Sequence, residues 1–439
     1  MRVKQKRAAS PTVYAVCKNI LLIRINRMEL FMKKYSIANL AAVYIVSFVA
    51  WVYCVAIAVL GLIYQAYPGQ DKVSVLIGTL PTIVTLITAL AGPFIMKALT
   101  RKWSVIISIA ISIVCGLAIL LIKMPLIGVI VCSAALGIPA GLIPAANSSI
   151  VTIIAPLSLK DKVIGWHNAI MMLGMSAFTL LAGIFAKTGD FRDGYKSVFV
   201  LIPVIIIAIL LYPNVDKDNI AVENEAAHNA QGAALNKTKE KMPGYVLVFI
   251  VLYLVGAIFW NAWFVNYSDY IINEAAIGDA SVAGLVGSLS SFAGCIAGFF
   301  VALWIKATKQ WSMPLAFILT GVTMLLPSLT QSAMGCYVGG FLCQLFNLFL
   351  VSGLTTYTGL ATDGKSYATT ALCLITVAEG AGVFLCGYIL PAMSSLFGGG
   401  AGMNLIVASV LMIIIGIATF FFIKPVHQKV YADGNKLEE

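Results

Sequence analysis

VYIVSFVAWVYCV, residues 43–55, has a counterpart in LYLVGAIFWNAWF, residues 252–264: Tyr44 matches Tyr253 and Trp51 matches Trp260, both at an offset of 209. Apolar sequences share Val, Ile and Leu cheaply, whereas Tyr and Trp matches at one offset are costly to obtain by chance. The same offset carries Lys97-Ala98 to Lys306-Ala307, and after a one-residue slip Trp103-Ser104 meets Trp311-Ser312. The chain therefore reads as a duplicated unit, which constrains the architecture before any motif is considered.

Composition says what kind of unit it is. Of 439 residues 60% are hydrophobic and only 11% charged, and the mean hydropathy is +0.96, against about 25% charge in an ordinary soluble domain. A helix crosses the hydrocarbon core with about 20 apolar residues. Apolar runs of that order fall at about 37–64, 72–98, 103–122, 125–156, 162–187, 194–213, 243–268, 279–306, 311–329, 333–358, 366–391 and 402–423. The expected fold is an all-α membrane protein of twelve transmembrane helices, with six-helix halves at 37–213 and 243–423. Six is even, so both copies enter the membrane in the same direction, giving two parallel pseudo-repeats of the kind that alternate access by rocking about a central site.

The cations set the orientation. With a cytoplasmic N-terminus, 24 of the 29 Lys and Arg residues fall on inner segments, leaving Lys72, Lys123, Lys187, Arg192 and Lys196 outside. Without the basic segment 1–36 the bias is still 15 to 5, so the positive-inside rule puts both termini in the cytoplasm of a bacterial inner-membrane protein. The polar stretch 214–242, with Asp216, Asp218, Glu223, Glu225 and Glu240, reads as a cytoplasmic, partly disordered linker between the halves, and 424–439 as a cytoplasmic tail. Tyr14 to Ile25 is too short to span and is interrupted by Lys18 and Arg24. It reads either as an amphipathic surface helix or as part of an over-extended start, since Met32-Lys33-Lys34 stands directly before the first span.

Several function classes are excluded. The net charge of +11 sits at the ends of apolar runs rather than on a soluble basic face, so nucleic acid is not the partner. The nine cysteines include no CxxC pair and read as small packing residues. There is no phosphate-binding G-x4-GK[ST] loop, HExxH zinc site or paired intramembrane Asp cluster, so an enzyme and a bound cofactor are not expected. The expected partners are a small-molecule substrate and the lipid bilayer, with the chain acting as a monomer.

The turn after the second run, GPFIMKALTRKWS from Gly92, resembles the loop pattern G-x-x-x-D-R-x-G-R-K/R of the major facilitator superfamily, with Gly92, Lys97 and Arg101 in matching places. Met96 stands where that family has Asp, and Leu99 where it has its second Gly. With the twelve-run plan, the central linker and the repeat, the resemblance covers the whole membrane region. It implies a cavity lined by spans one, four, seven and ten, and places Lys97, Arg101 and Lys102 at the cytoplasmic gate, although these cations also serve as plain topology anchors. Span five, around GMSAFTLLAGIFA from Gly174, lacks the Gly-Pro signature of the family's drug/proton antiporters.

Ionisable groups deep in a span are functional candidates by default. Glu379, in ITVAEGAGVFLCG, is the one deep carboxylate, flanked by Ala378, Gly380 and Gly382. Aligning Gly174 with Gly382 sets Met171 opposite it in the first half, so the carboxyl is no part of the shared scaffold. An anion is costly at that depth, which suits a group that takes a proton on one side and releases it on the other; a hydrogen-bonded structural Glu is the alternative. Asp269 reads as interfacial, and so do Tyr267 and Tyr270, while His167 reads as a solvated loop-end residue.

Neutral polar and aromatic residues supply the candidate substrate site: Tyr44 and Trp51 in span one, Asn147 in span four, Trp260, Asn261 and Trp263 in span seven, and Tyr337, Gln344 and Asn347 at i, i+7, i+10 in span ten. Such a set suits a mostly uncharged, aromatic or amphipathic solute held by stacking and a few hydrogen bonds. No Lys or Arg lies deep in a span, which disfavours small multiply charged anions. The leading reading is a secondary active or facilitative carrier, with proton coupling through Glu379. The alternatives are proton-driven efflux of lipophilic or cationic compounds, and a non-transporting receptor of the same fold.

Overall fold

A computed structural model describes residues 37–154, 160–218, 242–362 and 367–432. The basic segment 1–36, most of the linker and residues 433–439 lie outside them, and with them the readings of the N-terminus and of linker disorder. All regular structure among the described residues is helical, as lipid demands of a backbone that must satisfy its own hydrogen bonds. Ten helical segments there are long and apolar enough to cross a membrane, and Ile37–Phe48 is a shorter apolar helix.

In chain order the helices of the first half are α1 (Ile37–Phe48), α2 (Cys54–Ala58), α3 (Leu60–Ala66), α4 (Asp71–Ser74), α5 (Leu76–Leu99), α6 (Arg101–Leu121), α7 (Leu126–Ala135), α8 (Gly137–Ile154), α9 (Lys160–Phe185) and α10 (Leu201–Leu211). The second half contributes α11 (Gly244–Trp260), α12 (Ala262–Asp269), α13 (Ala280–Thr308), α14 (Ser312–Thr330), α15 (Ala333–Thr362), α16 (Ala368–Ser394) and α17 (Ala401–Ala432). One of the ten long segments, Ala280–Thr330, contains both α13 and α14, which part at the turn Lys309–Trp311, where Lys309 takes φ +49°.

The first apolar run, 37–64, is not one helix but α1, α2 and α3. No Gly or Pro stands at residues 49–53 or at Val59, where its helices part. Its turns at Val49, Ala50 and Cys54 are held by backbone bonds to the third residue back, at 3.2, 3.2 and 3.1 Å, and Ser47 Oγ donates to the Val43 carbonyl at 2.8 Å, a side-chain bond that competes with the helical ladder. The seventh run is interrupted in the same way between α11 and α12, where Asn261 Nδ2 donates to the Ala257 carbonyl at 2.8 Å. Asn261 stands 209 residues after Val52, inside the first interruption.

Buried apolar side chains form two cores. One gathers residues from Val43 to Val215, together with Ala280. The other gathers residues from Val246 to Ile423, together with Cys54, Ile57, Val75 and Met175 from the first half. Packing inside the two is parallel: a Cβ on Gly174 would stand 1.8 Å from the Phe48 carbonyl oxygen, and one on Gly382 would stand 2.2 Å from Ala257 Cβ. Phe48 and Ala257 are 209 apart, Gly174 and Gly382 208 apart.

The cores meet where α9 crosses α13 and α5 crosses α16. Gly183 and Gly284 pack so closely that a Cβ on either would lie 2.6 Å from the other's Cα, and Ser176 Oγ lies 2.8 Å from Ser288 Oγ. The helix ends carrying Lys97, Arg101 and Lys306 mark a basic end of the bundle. The opposite, distal end is held shut between the halves by hydrogen bonds joining α2 and α3 to the Ser268–Asn273 stretch. Leu90 and Phe94 of α5 and Phe299 and Phe300 of α13 are exposed apolar residues. The described cysteines are free, four of them buried.

Candidate functional site

Glu379 sits half-buried in the middle of α16, on a stretch where a Cβ on Gly380 would meet Leu86 and Thr82 of α5. Its Oε1 accepts a long hydrogen bond from Asn261 Nδ2 at 3.5 Å, while its Oε2 is buried with no partner. Tyr253 and Trp260 approach the same carboxyl from α11, and Tyr53 of the first half packs on the second core within electrostatic range of it. The helix interruptions around Tyr53 and Asn261 thus both come near one carboxyl. Breaks at corresponding positions of two repeats are where backbone and side-chain groups become available to a bound solute.

Tyr53 was not among the residues singled out by sequence. The signal was present, two residues after Trp51 in the counterpart of the Trp260-Asn261 stretch, but nothing in one strand of sequence says that α16 passes there. Trp51 is half-buried, packs on both cores and lies 6.5 Å from Tyr53 between ring centroids. Tyr44 packs on the first core, half-buried. Trp260 is buried edge-on to Tyr253 at 5.1 Å.

Trp263 and Tyr267 of the seventh run serve packing. Trp263 is fully buried, donates its indole N–H to Ser290 Oγ at 3.0 Å and stacks on Tyr267 at 5.8 Å. Tyr267 and Tyr270 are not an interfacial belt: both are buried, and the Tyr270 hydroxyl donates to the Pro327 carbonyl at 2.9 Å. They lie on the face of the broken helix turned toward α13, α14 and α17 rather than toward lipid. Asp269 stands near the distal end, as its sequence position suggests, accepting from Asn273 Nδ2 at 2.7 Å.

On α15, Gln344 and Asn347 are buried together, Asn347 Nδ2 donating to Gln344 Oε1 at 3.3 Å, and Asn347 Oδ1 is left without a partner. Tyr337 is half-buried on the same helix. Asn147 belongs to a different network. Its Nδ2 donates to Val43 O at 3.0 Å and Ser47 Oγ at 2.7 Å, and its Oδ1 accepts from the Tyr212 hydroxyl. His167 joins this network, so its reading as a solvated residue is corrected: it is 1% exposed, with Nδ1 2.7 Å from Ser47 Oγ. The helix begins at Lys160, which puts His167 two turns inside it and against α1.

In the basic turn, Gly92 is buried and Lys97 exposed. Arg101 reaches Asp216 and Ser149 and Lys102 the Ile209 carbonyl at 2.8 Å. Thr100 holds φ +67°, the backbone region that favours glycine. A separate cavity of about 610 Å³, lined among others by Gln65, Tyr67, Lys123, Asp190 and Arg192, opens at the distal end wholly among first-half residues and away from Glu379. Among the described residues no cluster of three or more potential metal ligands forms.

A POT family transporter in complex with 5-aminolevulinic acid shares the fold at TM-score 0.66 and 14% identity, over 88% of this chain and 96% of that one. A D-xylose-proton symporter matches at TM-score 0.67 and 11% identity, over 89% and 99%, and the xylose transporter XylE from E. coli, in a partially occluded inward open conformation, at 0.63 and 12%, over 89% and 98%. Among curated protein sequences none matches. The family model described as Major Facilitator Superfamily matches residues 40–387, and the chain, a multi-pass membrane transport protein, belongs to that superfamily.

Proposed function

We propose that this transporter is a secondary active or facilitative carrier of a small organic solute, mostly uncharged and aromatic or amphipathic, working by alternating access between two parallel six-span halves. The twelve spans are counted as the ten long segments, with Ala280–Thr330 taken as two crossings and Ile37–Ala66 as a broken one. The paired interruptions near Val52 and Asn261, and the matching Gly174–Phe48 and Gly382–Ala257 contacts, support the duplication. The basic end is cytoplasmic by the positive-inside rule, with both termini there, and the protein works as a monomer in the cell inner membrane.

The observation that carries the reading is Glu379, a carboxyl set between Tyr53 of one half and Tyr253, Trp260 and Asn261 of the other. Trp51, Tyr44 and Tyr337 supply stacking surface, Gln344 and Asn347 supply amides, and Glu379 binds and releases the coupling proton. Lys97, Arg101 and Lys102 serve the cytoplasmic gate.

A second reading, efflux of lipophilic cations, is favoured by one feature: Glu379 Oε2 and Asn347 Oδ1 are both acceptors without donors, which a donor-bearing or cationic solute would satisfy. An untargeted screen in proteoliposomes, with solute and pH gradients imposed in both directions, tests both. Movement of neutral aromatic solutes supports the first, movement of cations alone supports the second, and movement of nothing in a broad metabolite mixture overturns both.

A further inference from the structure

The pieces of spans one and seven that lie distal to their interruptions are the pieces that hold the halves together. Ser268 Oγ donates to the Ala58 carbonyl at 2.9 Å and accepts from the Gly61 amide at 3.2 Å. Asn273 Nδ2 donates to the Gly61 carbonyl at 2.9 Å, and Gln65 Nε2 donates to Asn273 Oδ1 at 2.6 Å. A Cβ on Gly61 would stand 2.8 Å from the Ser268 carbonyl oxygen, so the approach needs glycine there. These bonds form a clasp carried on α2 and α3 from one side and on α12 with its π-helical end, Tyr270–Glu274, from the other.

Each clasp arm is separated from the rest of its span by a break, and one break is wired to the carboxyl. The amide nitrogen of Asn261 is shared between the Ala257 carbonyl at 2.8 Å, which ties it to α11, and Glu379 Oε1 at 3.5 Å, which ties it to α16. The second bond is at the long limit for an N–H donor, so a donor on an arriving solute competes with it readily. A local break in a helical ladder is where a helix bends under small forces.

We propose that Asn261 is a positioning residue that couples Glu379 to the distal clasp. While Asn261 holds Glu379, α12 stays aligned and the clasp stays shut; when a solute takes Glu379, Asn261 is released, α12 swings about the break, and Ser268 and Asn273 draw away from Ala58 and Gly61. The inference rests on the proposed solute-facing role of Glu379, and it adds a hinged local gate to the rocking of whole halves. The titratable groups facing Glu379 are Tyr53 and Tyr253, and those around the clasp are Tyr64, Asp71, Asp269 and Glu274.

The test needs no solute. Ala58 is buried under the closed clasp, so in right-side-out vesicles an Ala58→Cys variant reacts with a membrane-impermeant maleimide only when the clasp parts, with the protein lacking that change as background. Adding Asn261→Ala raises the labelling rate about fivefold, the population shift expected from one modest hydrogen bond. Adding Asn261→Asp instead makes labelling rise with pH, because two carboxyls that close do not readily ionise together, and Glu379→Gln removes that dependence. Parent-rate labelling in a folded Asn261→Ala variant, or pH-independent labelling in the Asn261→Asp variant, overturns the coupling. Responsive labelling in a protein that moves no solute keeps the hinge and sinks the transport reading; transport without responsive labelling does the reverse.

Discussion

The backbone amide of Arg101 donates to Asp216 Oδ2 at 2.6 Å, and the Arg101 guanidinium meets the other oxygen of the same carboxylate. The basic turn after α5 is thereby bound to the residues that follow α10, a carboxylate arriving from 115 positions away to a loop that has Met96 where the superfamily has Asp. Both side chains are less than a fifth exposed, so the pair is well shielded. Arg101→Ala and Asp216→Ala should each lower stability by about 1.5–3 kcal/mol, and the double variant should lose less than the sum of the two by a coupling of about 1 kcal/mol or more. Thermal unfolding of the four proteins in detergent measures this, and simple additivity would remove the pairing from the account.

Glu379→Gln keeps the shape and the acceptor for Asn261 but cannot release a proton. Any solute flux that a pH gradient drives in the parent should lose that dependence in the variant, while exchange of solute for solute persists. Vesicle flux at matched and opposed gradients checks it; an unchanged response to the gradient would take the proton role away from Glu379.

Two tryptophans should separate packing from binding. Trp263, fully enclosed and bonded to Ser290, should cost about 3–5 kcal/mol as Trp263→Ala. Trp51, half-buried between the cores, should cost less in unfolding temperature as Trp51→Ala while reducing transport more. Melting curves beside flux measurements would show a reversed ranking if Trp51 were merely core.

The crossing of α9 and α13 tolerates no side chain at Gly183 or Gly284. Gly284→Leu should force these helices apart, cost about 1–3 kcal/mol by overpacking, and abolish transport because the halves lose their shared seam. Full activity with an unchanged melting temperature would mean that the seam is looser than these distances require.

At the distal end, hydrogen bonds from Arg192 hold the Asp190 carboxyl below its ordinary range. A depressed carboxyl contributes its stability above its unfolded-state pKa, near 4, and loses it as pH falls through the lowered folded value. Hydrogen exchange in the loop around residues 186–193 should therefore stay slow at neutral pH and quicken only under acid conditions. Asp190→Asn should make it quick at both, and equal protection in the variant at neutral pH would count against the pair.

Hydropathy, the distribution of cations and the 209-residue echo were enough to read the helical membrane fold from the sequence, because lipid leaves a backbone few options and charges are expelled to the span ends whatever the packing; the family also needed the central linker and the basic turn from Gly92. Glu379 was legible for the same reason: a lone carboxyl in an apolar run is expensive and therefore conspicuous. Its surroundings were not. That Tyr53 and Asn261 flank it, that Trp263 and Tyr267 are spent on packing, and that His167 is buried against Ser47 depend on which helix faces which. In an apolar chain nearly every face is apolar, so periodicity does not separate a face turned to lipid from one turned to a neighbour. The breaks in spans one and seven were likewise hidden, since no Gly or Pro stands at residues 49–53 or at Asn261. Only tertiary structure decides that these two breaks meet at one carboxyl.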